Sequence, residues 1–338
     1  MNPYRDTPKT VGVPSGLRKQ IQGLRRTGAL PLRGPAASVC LMIRNPKRRL
    51  DRERPGSTNE EAPPTNEEII RYFEERTRRR SIVKTTRTPS GQVLDWIPLE
   101  SQNSKGLLAA PPPQSFIPAS TRTGVKLASF ELDDNTVELG PSGTVPVLRK
   151  ETSRLHTTCS LHEYLSKRDG RKSRWFQSVD DPLPPNPSGS YFYGKAGQSF
   201  RSCFGCEGLL NVWQPYVEYS NDHSLMQTWL LNYDNSTTQS LEAGWTVDHS
   251  VNGDWDSHLF TFYTTNGYTK AGNDLGGYNQ DVDGWQQYDV NVFPGALIVG
   301  KSSQGGNQVG IVIKFQLFEG NWWLQVQGRH HGDHRRSG

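Results

Sequence analysis

Val309-Gly310-Ile311-Val312-Ile313-Lys314-Phe315-Gln316-Leu317-Phe318-Glu319-Gly320-Asn321-Trp322-Trp323-Leu324-Gln325-Val326 settles the class of the fold. From Ile313 onward apolar and polar residues alternate, the period-two pattern of a strand with one wet face. Glu319-Gly320-Asn321 is turn chemistry, and Trp322-Trp323-Leu324 resumes the apolar run on the far side, so the stretch reads as an antiparallel hairpin. Upstream, short apolar runs recur at Leu209 to Tyr219, Met226 to Tyr233, Leu241 to Val247, His258 to Tyr263, Tyr288 to Val292 and Ala296 to Val299. Asn252-Gly253-Asp254, Asn266-Gly267 and Gly305-Gly306-Asn307 separate them. No helical period appears from Gly189 on, so residues 189–326 read as an all-β, antiparallel β-sandwich.

The rest of the chain has a different character. Only 33% of the 338 residues are hydrophobic, low for a chain packed throughout, and most of the basic excess behind the net charge of +5 lies in the first half. Residues 1–64 read as a disordered basic region. The run from Lys47 to Arg54 has no interleaved aromatic residues and reads as a solvated charge run rather than a nucleic-acid surface. Ala36 to Ile43 is too short and too far from the start for a secretory leader, and no apolar stretch is long enough to cross a membrane.

A helix is predicted next. Thr65-Asn66-Glu67-Glu68 fits a capping box; Ile69, Ile70, Tyr72 and Phe73 form an apolar stripe; Arg76 and Arg78 to Arg80 close the helix with the sign its C-terminus favours. Ser81 to Pro98 then reads as strand, Pro89-Ser90-Gly91 turn, strand. Residues 65–117, ending past Pro111-Pro112-Pro113, make a helix-plus-hairpin unit too small to stand alone, so it is expected to lean on a larger body. Residues 118–188 are a polar connector that ends in the proline-rich run Asp181 to Pro187.

Within the sandwich one residue stands out. Ser240-Leu241-Glu242-Ala243-Gly244-Trp245-Thr246-Val247 sets a carboxylate among apolar and aromatic neighbours. On the wet face of a half-buried strand it would be an ordinary solvated acid. Buried, it would need a partner, and burial is how a glutamate is tuned toward acid–base work.

Taken in order, Asn211-Val212-Trp213-Gln214-Pro215, Gln227-Thr228-Trp229, Leu241-Glu242-Ala243-Gly244-Trp245, Leu259 to Thr264, Asn266-Gly267-Tyr268 and Gly320-Asn321-Trp322-Trp323-Leu324 resemble the neprosin family of secreted glutamic peptidases. Val83-Lys84-Thr85 with Pro89 to Trp96 resembles that family's activation peptide. The resemblance covers about half of the chain, residues 65–105 and 190–326. It implies a glutamic-peptidase-like fold and a zymogen that cleaves proteins after proline in acid. No metal and no cofactor are implied.

Two glutamates would share one groove, their proton affinities split by mutual repulsion; one activates water and the other protonates the leaving nitrogen. Glu242 falls on the first of the pair. Trp245 is a candidate wall of a proline pocket, with the sandwich core as its ordinary alternative. The implied partners are a proline-containing peptide or protein and the chain's own N-terminal propeptide as inhibitor, with no nucleic acid and no membrane. The implied location is extracellular, although this N-terminus carries no signal peptide.

The second glutamate of the family lies in strands beyond the Trp322-Trp323-Leu324 hairpin. Residues 327–338 run polar and basic without strand pattern, so they read as a non-homologous tail on a C-terminally truncated sandwich with an open edge. Glu218, Asp254, Asp256 and Glu319 do not fit the missing motif. The expectation is a peptidase-like chain without activity of its own; the alternative is a non-catalytic sandwich that binds peptide or carbohydrate through an aromatic groove.

Cys203-Phe204-Gly205-Cys206, with Cys159 and His156 or His162, has the makings of a zinc site. In a secreted protein a disulfide among Cys159, Cys203 and Cys206 is the better reading. Cys40 has no evident partner, and His330, His331, Asp333 and His334 could hold a metal only as a tag would. Asn235-Ser236-Thr237 is a glycosylation sequon, and no nucleophile-elbow motif is present.

Overall fold

The computed structural model describes residues 10–12, 36–44, 67–102, 108–112, 124–154, 160–166, 191–199, 203–218, 222–234 and 237–327. The strands are β1 (Thr10–Gly12), β2 (Ala36–Arg44), β3 (Lys84–Arg87), β4 (Val93–Pro98), β5 (Lys126–Leu127), β6 (Ser129–Phe130), β7 (Thr144–Leu148), β8 (Tyr191–Ser199) and β9 (Gly205–Asn211). They continue with β10 (His223–Asp234), β11 (Thr237–Asp248), β12 (His258–Thr264), β13 (Gly276–Tyr278), β14 (Gln286–Gln287), β15 (Ile298–Val299), β16 (Val309–Phe318) and β17 (Asn321–Val326).

Two six-stranded sheets face each other. One runs β13-β12-β11-β10-β2-β8; the other runs β14-β1-β17-β16-β5, with β9 along β16. All pairings within them are antiparallel except β16 with β5. Strand alternation decides what lies between them. Leu230, Leu241, Ala243, Trp245, Val247, Leu259 and Tyr263 of the first sheet meet Leu210, Ile311, Ile313, Phe315, Leu324 and Val326 of the second in one buried core. The fold class read from the sequence holds.

The hairpin quoted first pairs Phe318 with Asn321 across Glu319-Gly320. Both turn residues have positive φ, 48° and 77°, the type I′ geometry whose twist matches that of the strands. Asn252-Gly253, read as a plain turn, instead ends a one-turn helix, His249–Asn252. Asp248 caps its start by accepting from Val251 N at 3.3 Å, and Gly253 closes it at φ 80°.

The helix Glu67–Arg79 and the hairpin β3–β4 form as expected, and β4 goes on to pair with β7 in a small third sheet. Ile69 and Phe73, four residues apart on one helix face, are buried in the main core beside Tyr164 and Trp96. Asp95 on β4 is wholly buried and clasped by Arg149, with Arg80 at 3.8 Å. Further ties reach the sandwich: Tyr72 Oη donates to Asp281 O at 2.6 Å, and Gln92 Nε2 to Gly295 O at 2.9 Å. Gln102 exchanges two hydrogen bonds with the backbone of Gln287. The unit leans on the sandwich through buried side chains and cross-chain hydrogen bonds.

The N-terminal reading requires a correction. Inside the 64 residues read as disordered, β1 pairs with β17 and β14, and β2 lies between β10 and β8. The edge expected to stay open beside β17 therefore carries β1. The physical reason is the demand of an unpaired strand edge for a partner, which can recruit a segment that lacks the alternation marking a strand in sequence.

Candidate active site

Register places the functional side chains. Trp229, Glu242, Phe262 and Tyr278 lie directly opposite one another on β10, β11, β12 and β13, and so share one face of the first sheet. This face points away from the core. Gln227, Gly244 and Phe260 form the next row on it. Leu225, Phe260, Phe262 and Tyr278 are buried there as a second apolar cluster, with Tyr268 packed against it.

Gly244 is dictated by space. A Cβ at that position would lie 1.9 Å from Met226 O and 2.7 Å from Gln227 Cα, so β10 and β11 close up only because residue 244 has no side chain. The close approach sets the register that aligns Glu242 with Trp229.

Glu242 is fully buried. Its Oε1 accepts two hydroxyl hydrogen bonds of 2.7 Å, one from Ser240 two residues back on the same face, the other from Tyr268 on the loop after β12. The ring of Tyr268 stacks on Phe262, with centroids 5.8 Å apart and planes 10° apart, and Phe262 meets Tyr278 edge-on at 5.0 Å. A carboxyl group held by two hydroxyls against aromatic rings can accept a proton, relay one or orient water.

The other carboxylates weighed from sequence lie elsewhere. Asp254 accepts from His258 Nε2 at 2.8 Å, and His258 stands opposite Thr246. Thr246 is four strand positions from Glu242, roughly 13 Å along the sheet, too far to share a proton. Burial works to raise the Asp254 pKa, but the hydrogen bond and charge of His258 overcome it, and the carboxyl ends below its ordinary range. Asp256 bonds Lys301 at 2.7 Å, Glu218 is exposed in the loop after β9, and Glu319 occupies the β16–β17 turn of the other sheet.

Trp245, the candidate pocket wall, is three residues from Glu242 and so lies on the opposite face. It is buried in the core, with its indole N–H donating to Asn211 O at 2.7 Å. Strand parity therefore corrects that assignment: Trp229 and Phe262 stand level with Glu242, and Trp245 does not.

Cys203 and Cys206 are both free thiols. Cys203 Sγ donates to Gly205 O at 3.0 Å, and burial pushes the Cys206 thiol up to about 12. Cys159 and Asn235 lie outside the described residues. Among the described residues no group of three or more His, Cys, Asp or Glu is set to hold a metal ion, and no helix is long and apolar enough to cross a membrane.

Residues 220–334 match the family model Neprosin. The match, over about a third of the chain, supports membership in the neprosin family. The match begins with the segment that leads into β10 and contains the whole of β10 to β13, and therefore Glu242, Ser240, Tyr268 and the aromatic face. It also runs past Val326, into residues set apart as a tail on sequence pattern. Similarity to that family suggests a peptidase-type function.

Two parts of the site went unremarked in the sequence. Ser240 had a signal: it is two residues from Glu242, and so shares its face. Tyr268 had none of its own, since its contact depends on how the loop after β12 folds back.

Proposed function

We propose that this chain is a glutamic-endopeptidase-like protein that takes proline-containing peptides, with Glu242 as the carboxylate that would orient water or exchange the leaving-group proton. The observation that carries the reading is the setting of Glu242: a buried carboxyl inside the neprosin match, gripped by two hydroxyls among stacked aromatic rings. Aromatic faces suit the flat, apolar pyrrolidine ring of proline.

The rest of the reading concerns latency. Water attack with a proton delivered to the leaving nitrogen calls for two carboxyl groups of divided roles. Asp254, Asp256, Glu218 and Glu319 are each placed elsewhere, so the described carboxylates weighed for the second role do not fill it. Glu242 is also covered, and substrate reaches it only after that cover moves. The helix-plus-hairpin unit is proposed as a propeptide. Through Tyr72 and Arg76 it holds the Gln280–Asp283 segment just after β13, so its influence on the site would pass through that edge of the sheet. An extracellular location goes with this reading on family resemblance.

The test is incubation of the full chain with a proline-containing peptide at acid pH, following tryptophan fluorescence for binding and mass spectrometry for cleavage. Binding without cleavage is the expected result. Cleavage after proline that is lost in Glu242→Gln would overturn the latency, and absence of binding would overturn the substrate class. Carbohydrate binding at the same face, with no response to the peptide, would favour the non-catalytic alternative.

A further inference from the structure

We propose that the cavity between the helix Glu67–Arg79 and the segment joining β13 to β14 binds a small oxyanion, a carboxylate or inorganic phosphate, on the guanidinium of Arg80. The cavity measures about 480 Å³, within the range of small-molecule sites. Arg71, Arg76, Arg79 and Arg80 line one side, and Gln280, Asp283 and Trp285 line the other. Most of this charge is already matched. Arg76 bonds Asp283 at 3.0 Å, and Arg79 bonds Glu75 at 2.7 Å. Arg80 is the exception. Its side chain is only 14% exposed, yet it donates no hydrogen bond among the described residues, and the carboxylate beside it, Asp95, is 3.8 Å away. Asp95 is itself clasped by Arg149. Asp281, the other acid whose charge reaches Arg80, is paired with Lys150 at 3.5 Å. The proposal does not depend on the peptidase reading, since Glu242 does not line this cavity.

A guanidinium carries five N–H donors and keeps its charge at working pH. Held largely out of water without acceptors, it bears a desolvation cost that a bound anion would offset. Burial pulls the Arg80 pKa down to about 10, and the charges of Arg76 and Arg149 add to the fall. Asp95 and Asp281 act against it without overcoming it, so the surroundings of Arg80 are short of negative charge. The lining residues also hold two buried N–H donors without an acceptor, Arg76 Nε and Trp285 Nε1. Against them stands one buried unpartnered acceptor among the described lining residues, Gln280 Oε1. The helix dipole explains why basic residues gather at this end, but it gives the Arg80 side chain no acceptor. An oxyanion here would meet donors from both walls, and so would fasten the helix-plus-hairpin unit to the sandwich.

The experiment is calorimetric titration of the full chain near neutral pH with sodium phosphate and, separately, with sodium succinate, chloride holding the ionic strength constant. Binding of at least one of the two is expected, with a melting temperature that rises with its concentration as mass action requires. Response to phosphate alone, to succinate alone or to both then identifies the source of the oxyanion. Arg80→Gln should weaken that binding about ten-fold or more, because a charge-assisted pair is lost. Arg78→Gln is the control: Arg78 is exposed and lies outside the cavity, so affinity should stay within about two-fold. If Arg80→Gln does not fold, Arg80→Met, which fills similar space without a polar group, decides by the same criterion. Absence of binding by both anions overturns the proposal. Binding that the Arg80 variant leaves unchanged, or that Arg78→Gln weakens equally, overturns it too, since that is the behaviour of anions gathered on the basic helix at large.

Discussion

Replacing Gly244 with alanine tests whether the site is built by close approach of β10 and β11. The new Cβ would lie 1.9 Å from Met226 O, 2.7 Å from Gln227 Cα and 2.9 Å from Met226 C. These atoms belong to the backbone of a central strand, which cannot swing aside as the tip of a side chain can. Overpacking a well-packed interior costs about 1–3 kcal/mol, and a backbone clash this short belongs at or above the top of that range. A loss of ~3 kcal/mol lowers the melting temperature by roughly 6–12 °C for a domain of this size. The natural control is Gly194→Ala in β8 of the same sheet. Gly194 is exposed and an added Cβ meets nothing within 4 Å, so the change should stay within about 0.5 kcal/mol. Thermal unfolding of both variants by circular dichroism makes the comparison. A Gly244→Ala protein melting within about 2 °C of wild type, under 1 kcal/mol, would refute the packing argument.

Three further outcomes follow from the charges and thiols. Asp254 has a folded pKa below its unfolded value, so its contribution to stability is present above about pH 4 and fades as pH falls through the folded pKa. The melting difference between wild type and Asp254→Asn should therefore be largest near neutrality and shrink in acid; a difference that grows on acidification contradicts the assignment. With its thiol at about 12, Cys206 should alkylate at pH 8 on the order of a thousand-fold more slowly than a free cysteine, read by mass spectrometry of the intact fold against the unfolded chain. Arg149→Ala strips the bidentate partner from the buried Asp95, and should cost toward the lower end of ~3–5 kcal/mol because Arg80 remains 3.8 Å away. Loss of less than 1 kcal/mol would mean that Asp95 is served well enough by Thr85 and Arg80 alone.

How much of this was legible in the sequence depended on how local the cause was. The Ile313 to Val326 hairpin declared itself because alternation and turn chemistry are properties of adjacent residues, and the structure keeps both. The helix at Glu67 was equally plain, since its stripe and its terminal charges lie within four turns. Glu242 stood out as a carboxylate in an apolar strand, and parity alone separated it from Trp245, a signal available in the sequence and passed over. Ala36 to Arg44 gave no alternation and sat among basic residues; its strand character comes from the edge of β10, a partner about 180 residues away. Tyr268 reaches Glu242 through a backbone in a rarely occupied conformation, which residue type argues against rather than for. Gly244 looked like any strand glycine until the neighbouring carbonyl was in place.

The central claim is that the face of the sheet bearing Glu242, and not the core side or the second sheet, is where this chain meets its peptide. Backbone amide spectra of the 15N-labelled chain, titrated with a proline-containing peptide at acid pH, test it most directly. The account predicts that the perturbed signals concentrate at Gln227, Trp229, Glu242, Gly244 and Tyr268, the residues that share that face or pack against it. Perturbations gathered instead on the second sheet, around Lys314 and Gln316 of β16, or scattered evenly over both sheets, would contradict it.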